Sequence, residues 1–600
     1  MAYCSYEVKT INYNELKKIV KLPKFQRSVV WSVDQRHQLI DTIRRGYPFG
    51  SLLLYEIFEE NYKYQLIDGL QRLTTIMHFE NNKYEYINLA DVATEEFEVI
   101  FSKYEEIART PASEPIKQKI FNIVSSLFKN NTTGHSLTRA IIESLRENMP
   151  IFSNIKLQDT VIDQIESMDK KIKKEVDLSS LTLPVVIFRG DKSELPTIYD
   201  KVNSTGTKLS KYEIFSAIWN NEIFKMEDHE ILSWVDKKYE TMIEVSGITI
   251  NDYTPGSIIE SGEINLFEYA YALGKIIIDK CNEMFCGKNT DASQIDSIGF
   301  ALMTVCVDLS LKQMDKLPDY YYGVSPKNLS KLKDKLVECS VFVNDILKKY
   351  IITRDGKNFT KYLEAQIVSI IGTIFKIKYS VTTGLRIVEN PNSAFKVKLF
   401  KRHMPKHYLY DIIKDHWAGS GDRKVDDILK GDITNNKYIN PIPEENWRAT
   451  LDEWLSIQET KISKNIMVQQ KLFLNYMNKL TDIADVIYSK YSFDIEHIVP
   501  INRLMNRLKE GPFSALGNLC FLPSFENRSK KDKTLYEQIE ENTIIYNLDI
   551  EALNKFYYAE KSELDFIKSY ETFTKERYTK FLKDRHNFLI NKFIELINKL

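Results

Sequence analysis

No two cysteines in this sequence are spaced as CxxC, and that absence closes off the small folds stapled by metal or sulfur. The six cysteines (Cys4, Cys281, Cys286, Cys306, Cys339 and Cys520) are scattered, so neither a disulfide framework nor a zinc ribbon is expected. Cys281 and Cys286 are the closest two and have no matching second pair; buried thiols are the expected state. No run of about 18 apolar residues occurs, and the opening MAYCSYEVKT has no basic stretch leading into an apolar one. A cytoplasmic protein without a membrane segment is expected. Charge of one sign is also lacking, since 82 Lys and Arg face 83 Asp and Glu for a net charge of −1. Any nucleic-acid contact must then come from local basic surface, not from overall attraction. There is no internal repeat.

What is present exceeds one hydrophobic core. At 600 residues, 43% hydrophobic and 12% aromatic, the chain has material for two to four domains. The first 80 residues read as mixed α/β. Ser32-Val-Asp-Gln35 has the form of a capping box, with Leu39, Ile40 and Ile43 on one helical face behind it and Gly46 as the stop. Ser51 to Phe58 and Tyr62 to Ile67 read as paired strands, and a second helix begins after Asp68. Residues 90–180 read as helical. Leu181 to Phe188 is a buried-strand candidate, with Pro184 arguing for an edge or a strand start. Helix dominates to about 415. The stretch 418–443, rich in Gly, Asn, Asp and Pro, reads as a linker, and a compact mixed segment follows at 488–535 before a helical tail.

The densest chemistry lies in Phe493-Asp-Ile-Glu496-His497-Ile-Val-Pro500, then Leu516-Gly-Asn518-Leu, then Asn527. Phosphodiester hydrolysis needs a base to activate water and a cation to stabilise the departing oxygen. Adjacent carboxylate and imidazole groups at a strand end diverge, so one suits a metal and the other the water. An Asn on the following strand can fix the histidine's surroundings, and an Asn opening the next helix can complete a hard-oxygen metal site. Arg503, Arg507, Arg528, Lys530, Lys531 and Lys533 surround the motif. They are candidates for the DNA backbone, or an ordinary solvated face. A further basic run, Lys396 to His407, holds five Lys or Arg, two His and no acid; it reads either as a backbone-binding stripe or as an exposed helix.

Near the N-terminus two clusters stand out: Phe25-Gln26-Arg27 with Trp31, and Asp68-Gly69-Leu70-Gln71-Arg72 with Thr74 and Thr75. The second follows a strand and opens a helix, a placement that suits a phosphate. Arg27 and Arg72 offer planar forks to phosphate oxygens, and Asp68 can orient a metal or a water. Asp68-x-x-Gln71 is equally a capping box that needs no ligand, and local sequence leaves both readings open.

Glu-His-x-x-Pro, Leu-Gly-Asn-Leu and a following Asn, together, resemble the HNH (ββα-metal) endonuclease motif, more narrowly that of the GmrSD family of modification-dependent restriction enzymes. The run from Leu22 to Thr75 resembles the N-terminal domain of the same family, which is ParB-like and carries a DGQQR signature. Val202-Asn203-Ser-Thr-Gly206-Thr-Lys-Leu209-Ser210 is similar to a later motif of that domain. The resemblance implies His497 as general base, Asn518 as the residue holding loop and base, and Glu496 and Asn527 as ligands of a divalent metal (Mg²⁺, with Mn²⁺ as the alternative). It implies a nucleoside triphosphate at Gln26, Arg27, Asp68, Gly69, Gln71, Arg72, Asn203 and Gly206, with Asp68 catalytic if the nucleotide is hydrolysed. Leu70 stands where the signature has Gln, and an apolar side chain cannot orient a water, so the departure bears on hydrolysis and not on binding.

The expected architecture is α+β and multi-domain: a ParB-like module over 1–215, a helical region over 216–417, a linker over 418–443, and an HNH nuclease domain over 444–600. The expected function is nucleotide-regulated, metal-dependent cutting or nicking of foreign DNA, such as modified phage DNA. The rival is a nucleotide-gated DNA-binding switch with weak or no cleavage. A homodimer is left open, with the tail aromatics Phe556, Tyr557, Phe566, Tyr570 and Phe573 as either dimer surface or core.

Overall fold

The computed structural model describes residues 6–24, 31–57, 61–129, 135–175, 178–191, 194, 198, 211–219, 223–286, 295–353, 356–361, 363–480, 493–523, 532–541 and 558–599. The chain divides into two compact units, Met1–Asn221 with Asp236–Glu260, and Glu222–Val235 with Ser261–Leu600. Helix dominates both, and none of the described helices is long and apolar enough to cross a membrane.

The first unit is built on a mixed sheet of β1 (Tyr6–Asn12), β2 (Val20–Lys21), β3 (Leu52–Glu56), β4 (Tyr64–Asp68) and β5 (Thr182–Phe188), in the order β1-β5-β3-β4-β2. The expected pairing of the two strands around residue 60 is present, with β3 antiparallel to β4. In β5, Leu183, Val185 and Ile187 alternate into the core, as the period of a strand requires. Pro184 lies opposite Thr10 of β1, and the ladder to β3 begins only at Val185. The proline therefore sits where the strand starts, before a second neighbour would need its missing N–H.

Helix α1 (Tyr13–Ile19) links β1 to β2, and α2 (Val33–Arg44) opens with the expected capping box of Ser32 and Gln35. Helix α3 (Leu70–Asn81) follows β4 directly. Helices Thr94–Ala108, Glu114–Lys129, His135–Asn148 and Ile155–Glu175 then follow in succession. In the last of these, Leu157, Val161, Ile165, Met168 and Ile172 are buried at helical spacing.

The second unit centres on helices that are buried all round. Leu266–Lys280 is buried from Leu266 through Ile278, and Ile298–Cys306 is buried throughout, the pattern of a helix enclosed on every side. The two approach so closely that a Cβ on Gly299 would lie 2.0 Å from the Ala270 carbonyl oxygen, so only glycine fits there. A buried pair, Lys275 Nζ to Asp296 Oδ2 at 2.6 Å, lies in the same region. Short ladders join β6 (Ile223–Lys225) to β7 (Glu263–Asn265) and β8 (Tyr379–Thr382) to β9 (Arg386–Glu389).

Residues 418–443 hold the helix Gly421–Leu429 and two 3-10 turns, with Val425, Leu429, Tyr438 and Ile439 buried. The polar residues that read as linker act here as caps: Asp432 accepts from the Thr434 N–H and Asn436 from the Tyr438 N–H. Farther on, β10 (Phe493–His497) and β11 (Leu519–Pro523) form an antiparallel hairpin. Its core includes Ile498, Val499, Cys520, Leu522, Tyr558, Phe566 and Phe573. Of the tail aromatics, Phe566 and Phe573 are thus core; Tyr570 is exposed, with the Arg507 guanidinium 3.5 Å from its ring centre; Phe556 and Tyr557 lie outside the described residues.

Burial pushes three histidines of this unit well below their usual range: His403 and His407 to about 4 and His586 to about 3. All three are buried. Between pH ~6.5, where a free imidazole titrates, and about 4, the unfolded chain takes up protons that the folded chain refuses. Stability should therefore fall as pH drops through that window, by about 2–3 kcal/mol for each histidine. Denaturant midpoints measured across it should fall, and should fall less steeply in His407→Gln. A midpoint equally steep in both proteins contradicts the expectation.

Candidate functional site

The hairpin sets Glu496 opposite Cys520 and His497 opposite Leu519. As neighbours on a strand, the Glu496 and His497 side chains leave opposite faces. His497 Nε2 lies 2.9 Å from Ser514 Oγ. Ser514 is buried and its backbone is held on both sides: its N–H donates to the Ser463 carbonyl at 3.1 Å and its carbonyl accepts from Gln470 Nε2 at 2.6 Å. Gln470 also reaches Gln458 Oε1, which accepts from the Leu516 N–H. Nothing in the sequence pattern singles out Ser514, Gln458 or Gln470; only Ser514's position four residues before Asn518 places it inside the motif.

Asn518 is fully buried and spends its amide on the segment that follows the histidine. Its Oδ1 accepts from the Val499 N–H at 2.8 Å, while its Nδ2 donates to the Val499 carbonyl at 3.1 Å and the Phe513 carbonyl at 2.8 Å. The turn carrying it, Leu516–Asn518, is pressed against the C-terminal helix Lys575–Lys599. A Cβ on Gly517 would meet His586 Cδ2 and the Leu582 carbonyl oxygen, each at 2.9 Å. His586 Nδ1 lies 3.1 Å from Glu459 Oε1; burial lifts that carboxyl and lowers that imidazole. Such a pair is a neutral ring donating to a carboxylate, not an ion pair.

Several expected phosphate contacts are engaged within the fold. Arg503 Nη1 lies 2.8 Å from Glu537 Oε2, and its Nη2 donates to the Ile567 carbonyl. Burial alone would raise the Glu537 carboxyl; Arg503, with Thr534, brings it below its usual range. Lys533 pairs with Glu541. Arg507 donates to the carbonyls of Phe573 and Tyr570. Asn527, Arg528, Lys530 and Lys531 lie outside the described residues, so the second expected metal ligand has no described position. Among the described residues no three His, Cys, Asp or Glu side chains gather as a metal cluster.

In the first unit, Asp68 ends β4 and Arg72 lies one turn into α3. Arg72 Nη2 donates to Asp68 Oδ2 at 2.7 Å and to the Ser51 carbonyl at 2.9 Å. The capping-box reading of Asp68 and Gln71 is not what forms. The residue before α3 is Gly69, at φ +101°, with no side-chain cap, and Gln71 Oε1 accepts instead from the Trp31 N–H at 3.0 Å. Gly69 is required there twice over: a Cβ would sit 2.2 Å from Leu52 Cδ2, and that φ favours glycine. Leu70, at the departure from the signature, is buried. Gln26, Arg27, Asn203 and Gly206 lie outside the described residues.

Asn518→Ala should strip partners from the Val499 N–H and two carbonyls at once. A loss of about 2–4 kcal/mol in the unfolding of the second unit is expected, read from its denaturation midpoint. A change under about 0.5 kcal/mol, the size of an ordinary surface substitution, contradicts the clamp.

Against known proteins, residues 8–220 match the family model described as GmrSD restriction endonuclease, N-terminal domain. No curated protein and no solved structure matches the chain. Over residues 8–220, therefore, the chain carries the N-terminal domain of the GmrSD restriction endonuclease family.

Proposed function

We propose that this protein is a DNA endonuclease of the restriction type, cutting or nicking at an HNH-type site around His497 under the control of a nucleotide bound by the first unit. The observation that carries the reading is the hairpin. It sets Glu496 and His497 side by side, with the next turn clamped by Asn518 and the imidazole held by Ser514. The N-terminal family match supports the same class of activity.

In this reading Ser514, at Nε2, fixes the His497 ring so that Nδ1 is the nitrogen that accepts the proton of the attacking water. Glu496, with Asn527, offers oxygen donors of the kind that hard divalent cations take. When bound, Mg²⁺ or Mn²⁺ supplies positive charge against the departing oxygen. Arg503, Arg528, Lys530, Lys531 and Lys533 serve the DNA backbone in this reading, and Arg503 and Lys533 must first exchange their carboxylate partners for phosphate.

In the first unit a nucleoside triphosphate takes the α3 N-terminus, with Gly69 and Gln71 beside its phosphates and Arg72 leaving Asp68 to reach them. Gln26, Arg27, Asn203 and Gly206 complete that site. Asp68 would be the catalytic carboxylate of any hydrolysis. The buried Leu70 favours binding of the nucleotide without hydrolysis, since an apolar side chain packed in the core cannot orient a water, and this leaves room for the second reading, a nucleotide-gated DNA-binding switch with weak or no cleavage. The DNA is foreign and modified, such as phage DNA bearing glucosylated hydroxymethylcytosine or phosphorothioate; the protein acts in the cytoplasm, and a homodimer is compatible with it.

Purified protein should cut DNA with Mg²⁺ and lose that activity to a chelator. Glucosylated, phosphorothioate and unmodified substrates, each with and without a nucleoside triphosphate, identify the modification. His497→Ala should lower the rate by roughly 10²–10⁴-fold with its thermal midpoint and nucleotide binding intact, and Arg72→Ala should weaken nucleotide binding first. Cutting at the wild-type rate by His497→Ala would falsify the assignment. No cutting under any condition, with nucleotide still bound, turns the reading to the switch.

A further inference from the structure

The basic run from Lys396 to His407 is the sequence feature that the nuclease site leaves unused. It lies in the helix Ser393–Ile413, and the fold splits it in two. From His403 onward the helix is core. His403, Lys406 and His407 are buried; Lys406 Nζ donates to the Ile597 carbonyl at 2.9 Å, and His407 Nε2 lies 2.9 Å from the Asn440 carbonyl. Before that point the helix turns a cationic face to solvent. Phe395 is 69% exposed, and Lys398, Lys401 and Arg402 are all exposed.

Lys398 stands three residues from Lys401 and four from Arg402, so like charges neighbour one another on the helix surface, a spacing that opposes helix formation. Nothing offsets it locally. No acid occurs from Ser393 to Tyr410, and the nearest upstream acid, Glu389, ends β9. None of the three cations has an ion pair among the described residues, whereas Lys333, Lys335, Lys348, Lys376 and Lys378, on the helices Pro326–Ile351 and Glu364–Lys378, are each paired with a carboxylate. A repulsive face held rigid by a buried far end is complementary to a polyanion. An exposed aromatic beside cations is a combination that strand-binding surfaces use.

We propose that Phe395, Lys398, Lys401 and Arg402 form a second DNA-docking surface that grips backbone phosphates outside the His497 site. The proposal rests on the nuclease reading for its choice of DNA as the polyanion. The surface is tied to that site through the fold. The same helix contacts Ile597 through Lys406, and the helix bearing Ile597 packs Leu582 and His586 against the Gly517 turn beside Asn518. DNA held at Lys398–Arg402 is thereby held on the scaffold that carries the candidate catalytic turn.

The test uses the full chain carrying His497→Ala, so that DNA is bound and not cut, with fluorescence anisotropy of a short duplex across a range of salt. Lys398→Ala/Lys401→Ala/Arg402→Ala should weaken binding on the order of tenfold or more at physiological salt. It should also flatten the dependence of log K on log salt by about 2–3, the contribution of three phosphate contacts. The corresponding Glu triple should weaken binding further, and Lys156→Glu/Lys170→Glu/Lys174→Glu, on a helix of the first unit, should leave it unchanged. In the cutting-competent background the Ala triple should raise the DNA concentration for half-maximal rate and leave the rate at saturation unchanged. Wild-type affinity and salt slope in both triples overturn the proposal, as does loss of binding to anionic vesicles with DNA binding intact. DNA held through this face by a wild-type protein that never cuts sustains the docking surface and sinks the nuclease reading, so the two failures are distinguishable.

Discussion

The amide of Asn518 is the joint on which the candidate site depends. A buried amide is stable only when its polar atoms are partnered, and this one finds partners on either side of the histidine: Val499, two residues past His497, and Phe513, beside the Ser514 that touches the imidazole. One side chain thus fixes both the segment that leaves the histidine's strand and the loop that returns to it. The C-terminal helix closes the arrangement from behind, because Gly517 admits the His586 ring where any side chain would push it away. The histidine's geometry therefore depends on residues far apart in the chain, among them Gln458, Gln470 and His586.

The first unit shows the same economy with different chemistry. Gly69 accepts a left-handed backbone against Leu52 and turns β4 directly into α3. That places Asp68 and Arg72 one helical turn apart, where they neutralise each other and tie back to Ser51. A partly exposed ion pair of this kind adds little to stability. Its cost of rearrangement is correspondingly low.

Much of the local structure was legible from residue patterns. The Ser32–Gln35 capping box, the strands flanking residue 60 and the strand at Leu183–Ile187 all follow from periodicity and turn chemistry, which act over a few residues. The capping-box alternative for Asp68 and Gln71 failed for a tertiary reason. Gln71 turns to the Trp31 N–H and Asp68 to Arg72, partnerships that a window of four residues cannot weigh. The stretch 418–443 shows the opposite error of scale. Its Asn and Asp content reads as a loop, yet Asp432 and Asn436 cap short turns whose Tyr438 and Ile439 enter a core built by distant helices.

By itself the sequence determined the local arrangements at the candidate sites, because Glu-His on a strand, Asn before the next strand and Asp-Gly before a helix are set by side-chain type and spacing. Tertiary structure alone decided how those groups are held. It brought Ser514 to the imidazole, set Arg503 against Glu537, and divided the basic run so that Lys406 is buried and Lys398, Lys401 and Arg402 face solvent. The physical reason is burial: desolvation forces each polar group to find a partner, and which partner lies within reach depends on how distant segments pack, not on the order of residues along the chain.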